Sequence, residues 1–300
     1  MNHELMYFLD DYIKSNRYRL INSVLLIKDG ETVIERYYNG RTQYSRNNLK
    51  SVWKSILTIC AGICLDRGLI RSLDQPIADF LLQFAAGIHP YHKLITVEHL
   101  LTMSSGIYFN GGVHYHCPML EQIFRAEDQI AEIADVAMAE LPGTAFKYKE
   151  FDVILLSALL QKAIGGSVYE FCRDNLYLPL EIESESWPSL RDGTEYTVTR
   201  GEERSDLSAC DLAKIGGLLL DGGGKIISQN YVGRATSPST VNNSYGYLIW
   251  LRDDGFGFSG FGGQQVIVIP EKRIVYVIQA TPTPSSKFYG DVFDKLIIRL

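Results

Sequence analysis

The sequence predicts an α/β chain of the α+β kind: one antiparallel sheet assembled from both chain ends, with a mostly helical region inserted between. Three observations carry this. Alternating or β-branched apolar runs are confined to residues 22–38 and 245–280, the pattern of half-buried and buried strands. Between about residues 71 and 220, apolar residues recur at helical spacing and are interrupted by Gly, Pro and Ser, which reads as helices and loops. Residues 1–16 and 285–300 are each amphipathic at helical period, so the termini supply two helices to cover one sheet face. No internal repeat, low-complexity tract or linker divides the chain. Residues 1–300 are therefore expected to form one domain, with 1–70 and 221–300 as its sheet part and 71–220 as its helical part.

Taken in order, Leu5, Met6, Phe8, Leu9, Tyr12 and Ile13 share one side of the first helix. Asn22 to Lys28 and Thr32 to Tyr38 are strand-like and joined by Asp29-Gly30-Glu31, a hairpin. A helix follows from about residue 51 to Gly68, with Asn47 and Asn48 as candidate caps upstream. Short helices are expected from Asp74-Gln75-Pro76 and from Thr96, the latter stopped by Ser104-Ser105-Gly106. Residues 107–120 are aromatic and aperiodic, hence a loop. Residues 128–140 read as an acidic amphipathic helix ended by Pro142-Gly143, Asp152 to Ile164 as an apolar helix closed by Gly165-Gly166, and 168–177 as another. The stretch 183–206 is polar and irregular. Leu207 to Leu220 is helical, and Gly222-Gly223-Gly224 breaks it. Tyr245 to Leu251, Gly257 to Ile269 and Arg273 to Ala280 form a three-strand meander. The last helix turns Phe288, Val292, Phe293, Leu296 and Ile297 inward.

Three hundred residues are ample to bury a core, and contents of 46% hydrophobic and 21% charged are those of an ordinary globular protein. A formal net charge of −6 lacks the basic footprint of a nucleic-acid binder. Glu4, Asp10 and Asp11 interrupt the first apolar residues, which does not suit a signal peptide. No apolar run approaches the roughly 18–20 residues a membrane helix needs. A cytoplasmic protein without a membrane partner is the expectation. Five scattered cysteines, an odd number, make no disulfide framework. Cys60 and Cys64 share a helix face, but small buried hydrophobes explain them. His114 and His116 flank Tyr115 without a carboxylate spacing to support a metal pair. No metal or organic cofactor is expected.

The stretch that carries chemistry is Lys50-Ser51-Val52-Trp53-Lys54-Ser55. Residues three apart share a helix face, so the Ser51 hydroxyl and the Lys54 amine meet over one turn. A serine hydroxyl becomes a useful nucleophile when a neighbouring base takes its proton, and a partly desolvated lysine can serve. By itself the spacing also fits a plain helix start with a solvated lysine.

The surrounding blocks resemble the serine β-lactamase and penicillin-binding-protein superfamily, in particular its class C-like branch of esterases, D-amino-acid amidases and 6-aminohexanoate-dimer hydrolases. Asn48 to Ile56 is similar to that branch's nucleophile segment. Thr96 to Gly106 resembles its Leu-Leu-Thr-Met segment. Pro142-Gly143-Thr144, Phe146, Tyr148 and Leu155 to Ala158 resemble the stretch that holds the catalytic tyrosine. Asp211 to Gly216 and Tyr245-Gly246-Tyr247 follow in order, and Ser259 to Gln264 resembles the strand bearing the third motif. The blocks are collinear over residues 48 to about 280. The resemblance implies a β-lactamase-like fold with Ser51 as acyl-forming nucleophile and Lys54 lowering its barrier. It implies Tyr148 as proton shuttle, either as a phenolate shifted below the free value of about 10 or through Lys54, and an oxyanion hole from the backbone N–H groups of Ser51 and Phe261.

Two departures bear on substrate recognition. Where the family commonly has Tyr-x-Asn or Tyr-x-Ser, this chain has Tyr148-Lys149-Glu150; the glutamate could pair with Lys54 or select a cationic substrate. Where the third motif commonly begins with Lys or His, Phe258 precedes Ser259 and Gly260, which weakens recognition of a carboxylate. Arg204 to Ser208 replaces a usual glycine-rich stretch. Glu150, Phe258, Ser259 and Gly260 are the candidate substrate-binding residues. The expected activity is hydrolysis of a small ester, amide or peptide through an acyl-Ser51 intermediate, or acyl transfer to another acceptor. The alternative is a catalytically silent relative that binds a peptide or metabolite in the same cleft. A true β-lactamase or cell-wall peptidase fits less well, for want of an export signal and of the third-motif cation.

Overall fold

In the computed structural model, which describes residues 1–86, 89–111, 117–197, 206–283 and 288–300, the two chain ends build one sheet. The N-terminal part runs α1 (His3–Tyr12), β1 (Ile21–Lys28), β2 (Glu31–Tyr37), β3 (Arg46–Asn48) and α2 (Val52–Asp66). The middle carries α3 (Leu82–Ala85), α4 (Val97–Leu101), α5 (Pro118–Arg125), α6 (Gln129–Ala134), α7 (Glu150–Ile164) and α8 (Val168–Cys172). Then follow β4 (Asp206–Ser208), α9 (Ala209–Leu220), α10 (Gln229–Ala235), β5 (Trp250–Arg252), β6 (Gly255–Gly260), β7 (Gln264–Ile269), β8 (Ile274–Ala280) and α11 (Gly290–Ile297).

Six strands pair antiparallel in the order β2-β1-β8-β7-β6-β5. Strand β8 lies inside this order with both faces covered, and all seven of its residues are buried; a doubly covered strand reads as a continuous apolar run for that reason. Edge strand β2 is only partly buried. Alternation along the strands splits the core in two. Val24, Leu26, Ile267, Tyr276 and Ile278 face α1 and α11, where Leu5, Leu9, Val292, Phe293 and Leu296 cover them. Leu25, Phe256, Phe258, Val266 and Val277 face the opposite way, into the larger core that contains α2, α7 and α9. Helix α9 lies close on the sheet: a Cβ at Gly216 would sit 2.7 Å from Val275 Cγ1, so only glycine permits that approach.

The structure amends the sequence reading of several elements. The run Gly257 to Ile269 is two strands, because Gly262 and Gly263 take φ of +87° and +92° and turn the chain between β6 and β7; the meander therefore has four strands. Helix α5 occupies the end of the expected 107–120 loop and continues past it. The helix expected over 128–140 ends at Ala134, and Asp128 caps it. Helix α10, capped by Ser228, had no counterpart in the sequence reading. Phe288 is exposed rather than inward, although Val292, Phe293 and Leu296 are buried as expected. Among the described residues no single helix is long and apolar enough to cross a membrane.

Candidate active site

Helix α2 is the centre of the molecule. Every residue from Val52 to Cys64 is buried, so it is apolar all round, as a helix enclosed by core must be. Its N-terminus is fixed by what precedes it. Strand β3 pairs with β4, and Asn47 is not a helix cap: its side chain is buried, donating to the Ala280 carbonyl at 2.8 Å and accepting from Asn22 Nδ2 at 3.1 Å. The chain approaching α2 is thus pinned to the end of β8. Asn48 Oδ1 accepts from Lys50 N–H at 3.0 Å, and Lys50 has φ of +49°, a left-handed conformation that costs of order 1 kcal/mol for a residue with a side chain.

Ser51 stands at the N-cap of α2 but does not cap it. Ser167, Ser208 and Ser228 hold the same position on α8, α9 and α10 with extended backbone, and each hydroxyl accepts the backbone N–H of the third residue of its helix. Ser51 instead has φ −68° and ψ −6°, with no side-chain cap bond, and the Lys54 ammonium donates to its Oγ at 3.0 Å. The hydroxyl is aimed at a neighbour, not spent on the helix.

Lys54 is 1% exposed. Its Nζ also donates to Glu150 Oε1 at 2.9 Å and lies 5.3 Å from the centre of the Tyr148 ring. Burial pulls the Lys54 ammonium down, but Glu150 and Tyr148 more than offset it and leave the group above its ordinary value. Lys54 is thus a fully buried donor to both Ser51 and Glu150. Of the two roles open to the glutamate, the Lys54–Glu150 pairing is present. Tyr148 is half-buried, stacked 5.7 Å from Trp250 and edge-on to Tyr245 at 6.3 Å.

The segment that carries Tyr148 and Glu150 is clamped to the turn after α4. Lys147 N–H donates to the Met103 carbonyl at 2.9 Å and Gly143 N–H to the Ser104 carbonyl at 2.8 Å. Between the two site residues, Lys149 points the other way, donating to the Ile107 carbonyl at 3.1 Å beside Asp152 at 3.8 Å. Asp152 receives Ser105 N–H and Oγ–H. Burial raises the Asp152 carboxyl above its ordinary value despite Lys149 and Ser105. The first turn of α2 is tied down as well, Ser55 Oγ donating to the Leu248 carbonyl at 2.7 Å.

The end of β6 reaches the same place. A Cβ at Gly260 would lie 2.5 Å from the Leu49 carbonyl oxygen, so glycine lets this strand abut the turn before Ser51 and brings Phe261 alongside it. Ser259 is half-buried and faces away from Phe258. Phe258 does not reach the cleft surface: strand alternation turns it, with Phe256, into the larger core, where it is 1% exposed. Its ring offers no surface to a substrate, which corrects the expectation for that residue.

Tyr196 was missed from sequence. Its hydroxyl donates to Glu150 Oε2 at 2.5 Å, its ring is edge-on to Trp53 at 5.9 Å, and burial, then Glu150, push its phenol well above the ordinary value. It lies in a polar irregular stretch with no motif to mark it. Cys60 and Cys64 are buried free thiols, and among the described residues no group of three His, Cys, Asp or Glu side chains is placed to hold a metal. His114, His116, Arg204 and Ser205 lie outside the described residues.

Comparison with known proteins gives a consistent result. The profile of the family described as Beta-lactamase matches residues 22–295. The 6-aminohexanoate-dimer hydrolase of Paenarthrobacter ureafaciens is 23% identical over 226 residues, covering 70% of this chain and 56% of that protein; the chain thus spans little more than half of that curated relative. Among solved structures, a D-stereospecific amidohydrolase from a Streptomyces species superposes with a TM-score of 0.75 at 15% identity over 100% of both chains. EstCE1, a hydrolase with promiscuous acyltransferase activity, gives 0.75 at 14% identity over 98% of this chain and 96% of that one.

Proposed function

Because the chain belongs to the beta-lactamase family, we propose that it is a serine hydrolase that cleaves a small ester or amide through an acyl-Ser51 intermediate. The observation that carries this reading is the Ser51 hydroxyl at a helix start, withheld from capping and held 3.0 Å from a buried lysine. Ser51 Oγ attacks the acyl carbon, and its proton passes into the group formed by Lys54, Tyr148 and Glu150. The oxyanion is stabilised by the backbone N–H groups of Ser51 and Phe261; one such donor accounts for about 10²–10³ in rate in acyl-transfer enzymes. The same proton goes to the leaving alkoxide or amine. Water, or another acceptor as in EstCE1, then attacks the acyl group and gives up a proton of its own to the same group of side chains, which passes it to Ser51 Oγ as the acyl bond breaks.

The test is intact-protein mass after incubation with a fluorophosphonate, with Ser51→Ala beside it. One adduct that disappears in the variant supports the reading. A folded protein that forms none would favour a second reading, supported by the Lys54–Glu150 ion pair: a silent cleft that binds a peptide or metabolite without turnover.

A further inference from the structure

Two hydrogen bonds link Ser51 Oγ to the Glu150 carboxylate through Lys54, but the two charges are not equally placed. The Lys54 side chain is 2% exposed and that of Glu150 18% exposed, so the ammonium is the inner member of the pair and the carboxylate the outer one. An ionised carboxylate offers about four acceptor positions; Lys54 takes one on Oε1 and Tyr196 one on Oε2, leaving capacity for a further donor. Half-buried Tyr148, stacked on Trp250, lies over the Lys54 ammonium at 5.3 Å, so the rings next to the pair already face a cation. Strand β6, whose end abuts the turn before Ser51 at Gly260, its turn and β7 carry no charged residue from Phe256 to Ile269. That stretch supplies no charged side chain to pair with a negative group.

From this arrangement we propose that Glu150 is a specificity-determining residue: it makes the cleft select acyl donors that carry a positively charged amine over those that carry a carboxylate. The inference rests on the hydrolase reading for its kinetic test only, since the charge preference exists in binding whether or not turnover follows. Lys54 offsets part of the Glu150 charge from the inner side, so the preference is carried by the open acceptor positions on the outer, partly exposed carboxylate.

The experiment uses two matched esters too long to cyclise readily, p-nitrophenyl 6-aminohexanoate and mono-p-nitrophenyl adipate, with p-nitrophenyl hexanoate as the neutral reference. In wild-type protein kcat/KM for the amine ester should exceed that for the adipate by about tenfold, the order expected for one charge-assisted hydrogen bond. In Glu150→Gln the ratio should fall to within about threefold of unity, and in Glu150→Asp, which keeps the charge, it should be largely retained; circular dichroism checks that both variants fold. Calorimetric binding of the corresponding unreactive anilides to Ser51→Ala should show the same order. A ratio unchanged by Glu150→Gln, or a wild-type preference for the carboxylate in either measurement, overturns the inference. Absent turnover with the binding preference intact would instead sink the hydrolase reading and leave the inference standing.

Discussion

Two lysine–carboxylate pairs stand back to back in this molecule, and they do different work. Lys54–Glu150 is a contact of 2.9 Å whose carboxylate is partly exposed, with Ser51 on the same ammonium. Lys149–Asp152 is a looser 3.8 Å pair with both side chains sealed at 1% and 0% exposure, and its other partners are Ser105 and the Ile107 carbonyl. The first pair has the Ser51 hydroxyl at one end and a partly exposed carboxylate at the other. The second has only structure around it, bracing the strand-like segment that presents Tyr148 and Glu150 against the turn after α4. Neighbouring residues 149 and 150 thus serve opposite sides of one segment, and extended backbone at Lys149 (φ −153°, ψ 151°) is what turns them apart. A buried ion pair is not itself a sign of catalysis; what it touches decides.

That contrast can be broken most sharply at the lysines. Lys54→Ala should lower the rate of fluorophosphonate labelling by about 10²–10⁴, the usual contribution of positioned acid–base groups, with only modest loss of stability. Lys149→Ala should do the reverse: labelling persists wherever the protein is folded, while urea titration shows a loss of about 3–5 kcal/mol, because Asp152 is left as an uncompensated buried charge. Equal effects of the two changes on labelling would erase the distinction. Replacing both partners, Lys149→Met with Asp152→Leu, should cost clearly less than the sum of the single changes, read as a coupling energy in a double-mutant cycle. Tyr196→Phe removes a hydrogen bond to a charged acceptor and should cost about 1.5–3 kcal/mol in the same titration.

How far the sequence revealed this follows from what periodicity records. The central helix, the terminal helices and the strands were legible because each buries a continuous face. Ser51, Lys54, Tyr148 and Glu150 could be gathered because short spacings place them at two helix starts, with family resemblance joining the two. Strands β3 and β4 are three residues each, too short to carry a period, yet through Asn47 they fix the approach to Ser51. The two strands inside 257–269 fused in the reading because Gly262 and Gly263 interrupt the apolar pattern without a polar residue to mark the turn. Phe258 was assigned from its family position, which suggested a cleft, whereas strand alternation sends it to the core. Tyr196 depends wholly on tertiary placement, 46 residues from the carboxylate it touches.

The smallest effect separates the pairs by pH. Lys54 is raised above the ordinary lysine value of 10.5 by Glu150 and Tyr148 against burial. Its contribution to folding is therefore fully present below that value and is lost as pH rises through the folded-state pKa. The stability difference between wild type and Lys54→Met should stay level from about pH 7 to 9 and change only in the alkaline range where free lysine begins to titrate. Asp152 works at the other end. Burial raises it above 3.8, so the folded state holds a proton that the unfolded chain releases, and this group's contribution to stability falls as pH rises from that value upward. Asp152→Asn should remove that acid-side slope and leave the alkaline one untouched, as read by urea midpoints across the range. A wild-type–Lys54→Met difference already collapsing between pH 7 and 9 would mean that Lys54 is neutral at rest and that the amine itself takes the Ser51 proton.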